Sequence, residues 1–277
     1  MSQGARRRAR GAGLLALAAL PLLGGCVSEQ REQELGDQIA ATVNARVPLV
    51  RDAPLNLYVN DLGRLIARHS GRPGVDYHFY IVDTDGVNAF ALPGGHVYIN
   101  RGLIERTRNV SELAGVLAHE IAHVSARHGA HALERQMRTS SISSLMYRMI
   151  LGRGPILDQE ALQLGTQLWS AEHSRADEAE ADRMAVEYLV ASGVDPRGML
   201  TLFTTLLDEE ERNPRAPSSE WFATHPNTER RLEVTRQEIL QLTPKVAKGL
   251  ARDNASYPRF LQRLNALPPP PPVLIVN

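Results

Sequence analysis

Apolar positions recur at helical spacing over two early stretches of the chain. Residues 29–47 place Leu35, Ile39 and Val43 four apart in a polar background, which predicts a helix with one buried stripe. Residues 55–69 repeat the pattern with Leu55, Val59, Leu62 and Ile66, and Gly71, Pro73 and Gly74 end it. The period then drops to two. Tyr77 to Val82 reads as a strand and Val87 to Leu92 as a second, and Pro93-Gly94-Gly95 turns the chain into a third at His96 to Ile99. A small antiparallel sheet is expected. Beyond residue 100 the pattern is helical almost throughout. Asn109, with Glu112 three residues later, opens a helix in capping-box fashion, expected to run to about His131. Residues 158–173, 174–191, 197–211 and 227–241 read as further helices, with Gly193 and Asp195-Pro196 stopping the one at 174–191. Residues 212–224 read as a polar loop with two prolines. Pro268 to Pro272 reads as an extended polyproline tail. The expected fold is a single α+β domain, mostly helical, with no internal repeat of 20–50 residues.

A chain of 277 residues can bury a substantial core without a disulfide or metal staple. Lys+Arg and Asp+Glu are both 31, and that balance argues against a nucleic-acid partner, whose footprint would be basic. One cysteine excludes an intrachain disulfide and any multi-cysteine metal site. Nine histidines remain as possible ligands.

The N-terminus changes both the charge and the role of that cysteine. Arg6, Arg7, Arg8 and Arg10 form a positive segment without an acid, and Leu14 to Leu23 is a short apolar run followed by Gly24, Gly25 and Cys26. This is the layout of a secretory signal peptide. The run is about half the roughly 20 residues a spanning helix needs, and Pro21 breaks it. Arg7-Arg8 leaves a twin-arginine export route open. Leu23-Gly24-Gly25-Cys26 also resembles the bacterial lipobox, which implies cleavage before Cys26 and lipidation of that residue. Several acyl chains, at about 0.8 kcal/mol per buried methylene, hold a protein stably on a membrane. The other reading is a buried free thiol. Val27 stands where an Asp would retain a lipoprotein in the inner membrane, so the resemblance points to the outer membrane of a Gram-negative source. Loss of residues 1–25 would remove four arginines and no acid, taking the formal charge from zero to −4.

His119-Glu120-Ile121-Ala122-His123 is H-E-x-x-H on a predicted helix. At 100° per residue the two histidines lie about 40° apart, so their imidazoles can converge on one zinc, with Glu120 beside them to serve a water. Leu113, Leu117, Ile121 and Val124 form the opposite, core-facing stripe. Zinc needs a third protein ligand. Ser174 to Asp182 carries four acids, and a charge run of this kind is by default a solvated face. Glu178 and Asp182, however, are i,i+4 and share a face. That pair suits a ligand glutamate with an aspartate that orients a ligand histidine through its second ring nitrogen. Glu180 lies on the opposite side with Met184 one turn on, so Glu178 is preferred as the ligand.

The combination resembles the HtpX-type zinc metallopeptidases, a family that also includes the CAAX prenyl proteases. The matching segments, in order, are Asn88 to Gly95, Gly102-Leu103-Ile104, His119 to His123, Ser174 to Asp182, His225-Pro226 and Arg231, over roughly residues 30–240. The nearest likeness is to soluble periplasmic lipoprotein members. The resemblance implies a minigluzincin-like fold and a division into a leader (1–25), an N-terminal arm and helix (26–52), a metallopeptidase domain (53–241) and a C-terminal tail (242–277). It implies one Zn2+ per chain held by His119, His123 and Glu178, with Glu120 as general base and Asp182 behind the ligands. His225 and Arg231 would stabilise the oxyanion, or His225 would ligate the zinc and shut the site. Asn88, Ala89, Phe90 and Ala91 would lie on an edge strand that pairs with an extended substrate, if they are not simply part of a hairpin. Two departures bear on the substrate. No transmembrane helices occur, and nothing after residue 241 is long enough for the repeat domain of one such member.

His69, His78, His96, His128, His131 and His173 show no partner pattern and read as surface or satisfied residues, His128 lying on an ideal helix about 180° around from His119. Trp221 and Phe222 could touch substrate or anchor their loop. Met146, Met149 and their apolar neighbours could be a flap over the cleft or a core helix. The expected function is a lipid-anchored zinc endopeptidase that degrades unfolded or misassembled envelope polypeptides. The competing readings are a chaperone-like assembly factor with a mostly silent site, and a zinc-dependent binding module.

Overall fold

The computed structural model describes residues 28–132, 173–213, 215, 219–226, 228–242 and 249–271. Cys26, the leader, the expected helix at 158–173 up to residue 172, and Met146 and Met149 lie outside the described residues. The element order is α1 (Glu29–Asn44), α2 (Ala53–Ala67), β1 (His78–Val82), β2 (Ala89–Leu92), β3 (His96–Asn100), α3 (Arg101–Ile104), α4 (Val110–Ser125), α5 (Arg175–Ala191), α6 (Arg197–Arg212), α7 (Ser219–Thr224), α8 (Thr228–Gln241) and α9 (Tyr257–Asn265). The fold is the expected mostly helical α+β domain with a small sheet.

The sheet departs from the expectation in one respect: it is mixed rather than antiparallel. β2 and β3 form the expected hairpin, Ala89 opposite Ile99 and Leu92 opposite His96. Gly94 and Gly95 make its turn at φ +83° and +97°, a region costly for any residue with a Cβ. β1 lies on the far side of β3 and runs parallel to it, His78 beside His96 and Val82 beside Asn100. The order β1-β3-β2 therefore leaves β2 at an edge. Period-two alternation identifies strands but not their partners, which is why direction escapes a local reading.

The sheet is covered on both faces. Leu35, Ile39, Ala40 and Val43 of α1 pack on Val82, Phe90, Leu92 and Tyr98. Phe79, Ile81, Val97 and Ile99 face the main core with α2 and α4. β3 is buried at all five positions, as expected of a strand covered twice. Gly36 lets α1 approach the hairpin turn, because a Cβ there would overlap the carbonyl of Pro93.

α4 is the central element. Asn109 caps it, its Oδ1 accepting from Glu112 N at 3.1 Å. The Glu112 carboxylate accepts from Arg108 N at 2.8 Å, one residue before the cap, and from the cap's side-chain Nδ2 at 3.3 Å. Every residue from Val110 to Val124 is buried; the histidine face is covered as completely as the apolar stripe. α4 ends at Ser125, not near His131, and Arg127 takes a left-handed φ of 59° before the chain turns back into helix.

Two further elements were not evident in the sequence pattern. A one-and-a-half-turn helix, α7, sits inside the stretch expected to be a loop, with Trp221 fully buried beneath it. In the expected tail, α9 buries Tyr257, Phe260 and Leu264 against the core, and Phe260 stacks on Tyr58 of α2 at 4.4 Å. The polyproline segment is then held at its start by Arg101, whose Nη1 donates to Pro268 O at 2.6 Å. No helix among the described residues is long and apolar enough to cross a membrane.

Candidate active site

α4 and α5 pack against each other along their length and set the site between them. On α4, His119 and His123 are one turn apart and their Nε2 atoms lie 3.0 Å from each other. α5 starts with a full capping box, Ser174 Oγ accepting from Asp177 N and the Asp177 carboxylate from Ser174 N. That start fixes the rotation of the helix. Glu178 and Asp182 face α4 and are buried, while Glu180 points outward and is half exposed. Glu178 Oε1 lies 3.4 Å from His123 Nε2 and Oε2 lies 3.5 Å from His119 Nε2. Asp182 Oδ1 comes within 3.1 Å of His119 Nδ1.

His225, just after α7, completes the cluster. Its Nδ1 lies 3.1 Å from Glu178 Oε1 and 3.3 Å from His119 Nε2. The indole of Trp221 stacks on its ring at 4.2 Å. His119, His123, Glu178 and His225 each offer one ligand atom, and all four atoms fall within 4.8 Å of one another. The donor set suits a divalent cation with a nitrogen preference. Three imidazoles and a carboxylate converge on one point, all of them buried.

Glu120 is fully buried beside this cluster, and neither carboxylate oxygen has a hydrogen-bond partner among the described residues. His225 Nε2 lies 3.7 Å from Glu120 Oε1. Burial pushes the Glu120 carboxyl up from the ordinary range. A buried carboxylate without a hydrogen-bond partner is costly to the fold. Burial pulls the His119 imidazole down, but hydrogen bonding and charge from Asp182 and Glu178 outweigh it and push it up to about 9. Burial drives His123 the other way, well below its usual value.

Arg231, on α8, does not present a free donor to the cleft. Its Nε and Nη2 grip Asp182 at 2.7 and 2.8 Å, and Nη1 reaches Glu178 Oε2 and, at 3.3 Å, the carbonyl of His225. The guanidinium thus fixes both carboxylates from behind. Trp221 is packed against His225 and His119 rather than displayed for substrate.

The expected substrate strand borders the cluster at both ends. Asn88 Oδ1 accepts from Thr224 Oγ1 at 3.3 Å, beside His225. Ala91, Leu92 and Pro93 line a pocket together with His123 and His173. Its side chains are buried or half-buried, so the backbone of the outer edge is what it offers.

Two histidines read from the sequence as having no partner pattern lie against the cluster. His128 is buried, with Nδ1 2.9 Å from His123 Nδ1. His173 stacks on His123 at 4.0 Å, and burial pulls its pKa down to about 3. His173 directly precedes the cap Ser174, which is the one sequence signal that could have drawn attention to it.

The model of peptidase family M48 matches residues 54–239. The beta-barrel assembly-enhancing protease of Escherichia coli K12 is 32% identical over 232 residues, covering 82% of this chain and 47% of that protein. The mitochondrial metalloendopeptidase OMA1 of Schizosaccharomyces pombe is 30% identical over 179 residues, 65% of this chain and 51% of that one. Its bovine counterpart is 28% identical over 181 residues, 61% and 34%. The chain spans about half the length of the curated relatives it matches.

Proposed function

The chain belongs to peptidase family M48, and from that footing we propose that it is a lipid-anchored zinc endopeptidase acting on unfolded or misassembled polypeptides of the cell envelope. The observation that carries the reading is the convergence of His119, His123 and Glu178 beside a buried, unpartnered Glu120. His119, His123 and Glu178 would hold one Zn2+. Bound there, zinc would supply Lewis-acid chemistry, polarising a carbonyl and making water more acidic.

The remaining steps fall to the chain's own groups. Glu120 takes the proton of the attacking water at a carboxylate oxygen and later passes it to the leaving amine. Asp182 Oδ1, 3.1 Å from His119 Nδ1, is placed to orient that ring although the two are not aligned as a hydrogen bond. Arg231 is a positioning residue that keeps Asp182 and Glu178 in place. The edge formed by Asn88 and, in β2, Ala89, Phe90 and Ala91 pairs with an extended substrate. Pairing through main-chain groups tolerates many sequences and suits unfolded clients. Cleavage of casein should require metal: full loss with a chelator and recovery on adding Zn2+ supports the reading, and cleavage indifferent to chelator refutes it.

A second reading has an observation of its own. His225 Nδ1 lies among the donor atoms, where it can occupy the position a substrate carbonyl needs. The protein would then be a chaperone-like assembly factor whose protease site is shut at rest. The two readings meet in His225 acting as a gate carried on α7. His225→Ala should raise basal casein cleavage several-fold with zinc content unchanged. Lost activity with zinc retained would instead make His225 a transition-state donor.

Anchoring rests on Leu23 to Cys26; the bacterial relatives named for beta-barrel assembly support a cell-envelope location, and Val27 after the cysteine is the reason for assigning the periplasmic face of the outer membrane. Cys26→Ser should move the protein from the membrane fraction to the soluble fraction of the host envelope, and unchanged fractionation would rule lipidation out.

A further inference from the structure

His128 lies five residues beyond His123, and on an unbroken helix it would point about 140° away from it. The helix is broken in between. Arg127 adopts φ 59°, a conformation that a residue with a side chain keeps only when its surroundings hold it. Those surroundings come from α1. Glu32, buried, accepts from Arg127 Nε at 2.7 Å and from Arg72 Nη1 at 3.1 Å, and Arg72 Nη1 also caps Val124 O at 3.3 Å. The break folds His128 back under the site, 3% exposed, with Nδ1 2.9 Å from His123 Nδ1. On its other edge, His128 Nε2 lies 3.4 Å from Glu180 Oε2 and 3.8 Å from Asp177 Oδ1.

We propose that His128 is a positioning residue for the metal ligand His123, accepting its Nδ1–H and so fixing the tautomer and ring plane that leave Nε2 free for the metal. The inference rests on the zinc reading above. The proton placement follows from the geometry. Two ring nitrogens at 2.9 Å need one proton between them. A His123 that ligates through Nε2 must carry its proton on Nδ1, so His128 Nδ1 is the acceptor. The proton of neutral His128 then sits on Nε2, which is the edge facing Glu180 and Asp177. Every hydrogen has a place, and the chain runs from carboxylate to His128 to His123. It parallels the approach of Asp182 to His119, with one difference. His119 has a carboxylate behind it and His123 a neutral imidazole, so the two ligands differ in basicity without adding a further carboxylate to Glu120, Glu178 and Asp182 at the buried centre.

Asn and Leu are close in size, and only Asn can accept at the place of Nδ1. Zn2+ affinity should be measured on the full chain by competition with a chromophoric chelator, together with the visible bands of the Co2+-substituted protein, for wild type, H128N and H128L. H128L should weaken Zn2+ binding by about 10–100-fold and shift the Co2+ bands, whereas H128N recovers most of both. Wild-type affinity in H128L, or equal loss in both variants, overturns the role. If circular dichroism shows H128L unfolded, H128N decides alone: affinity near wild type supports the role and full loss overturns it. A wild-type chain that binds no Zn2+ overturns the metal reading itself, so the two failures are distinct.

Discussion

Glu120→Gln should lower the turnover of casein by about 10²–10⁴-fold while leaving zinc content unchanged. Gln has the shape of Glu but cannot take a proton from water. The substitution should also leave stability equal or higher. Both Glu120 oxygens are buried without a hydrogen-bond partner, and burial raises its pKa. A carboxyl whose folded pKa lies above its unfolded value destabilises the fold at pH values above both, and the neutral amide removes that cost. Loss of turnover with no loss of stability separates a reacting group from a structural one. Turnover in the variant equal to wild type would sink the mechanism, and turnover lost together with the fold would sink the argument from the orphaned carboxylate. His119→Ala should behave differently, losing metal and activity together.

Much of this site was legible because its pieces are local. His119 and His123 are one helical turn apart, and so are Glu178 and Asp182, so spacing alone puts each pair on one face. The Asn109 and Ser174 caps mark where each helix starts and therefore which way those faces turn. What escaped the reading depends on contacts far apart in sequence. β1 pairs with β3 across a gap that holds β2, and nothing in the alternation of Tyr77 to Val82 states its direction. α4 was expected to continue because Ala126 to His131 has no proline and only Gly129 against it. The left-handed turn at Arg127 is imposed from outside, by Glu32 ninety-five residues away. Helical arithmetic carried past that turn put His128 on the wrong side. α7 and α9 are short amphipathic turns in polar or proline-bearing stretches, where local propensity is weak and tertiary packing of Trp221, Tyr257 and Phe260 decides.

The ion pairs behind the ligands set the second large effect. Arg231→Met should destabilise the metal-free protein by about 3–5 kcal/mol at pH 7, read from denaturant midpoints. Met keeps much of the apolar contact that the Arg231 side chain makes against Phe203, where the guanidinium carbon lies 5.3 Å from the ring centroid. It removes the charge from two buried carboxylates at once. Burial on its own would raise the Asp182 carboxyl; the charge and hydrogen bonds of Arg231, with those of His119, hold it below the ordinary range instead. In the wild type that pairing stabilises the fold above the unfolded Asp value of about 3.9 and is lost as pH falls through the lower folded value. In the variant burial wins, the folded pKa rises above the unfolded one, and the penalty grows with pH. The gap between the two proteins should therefore be widest near pH 7 and narrow as pH falls toward 4. Asp182→Asn added to Arg231→Met should recover part of the loss, since the orphaned charge goes with it. A single variant within about 1 kcal/mol of wild type at pH 7, the range of exposed pairs, would mean that Arg231 is not what holds Asp182 and Glu178 against the metal site.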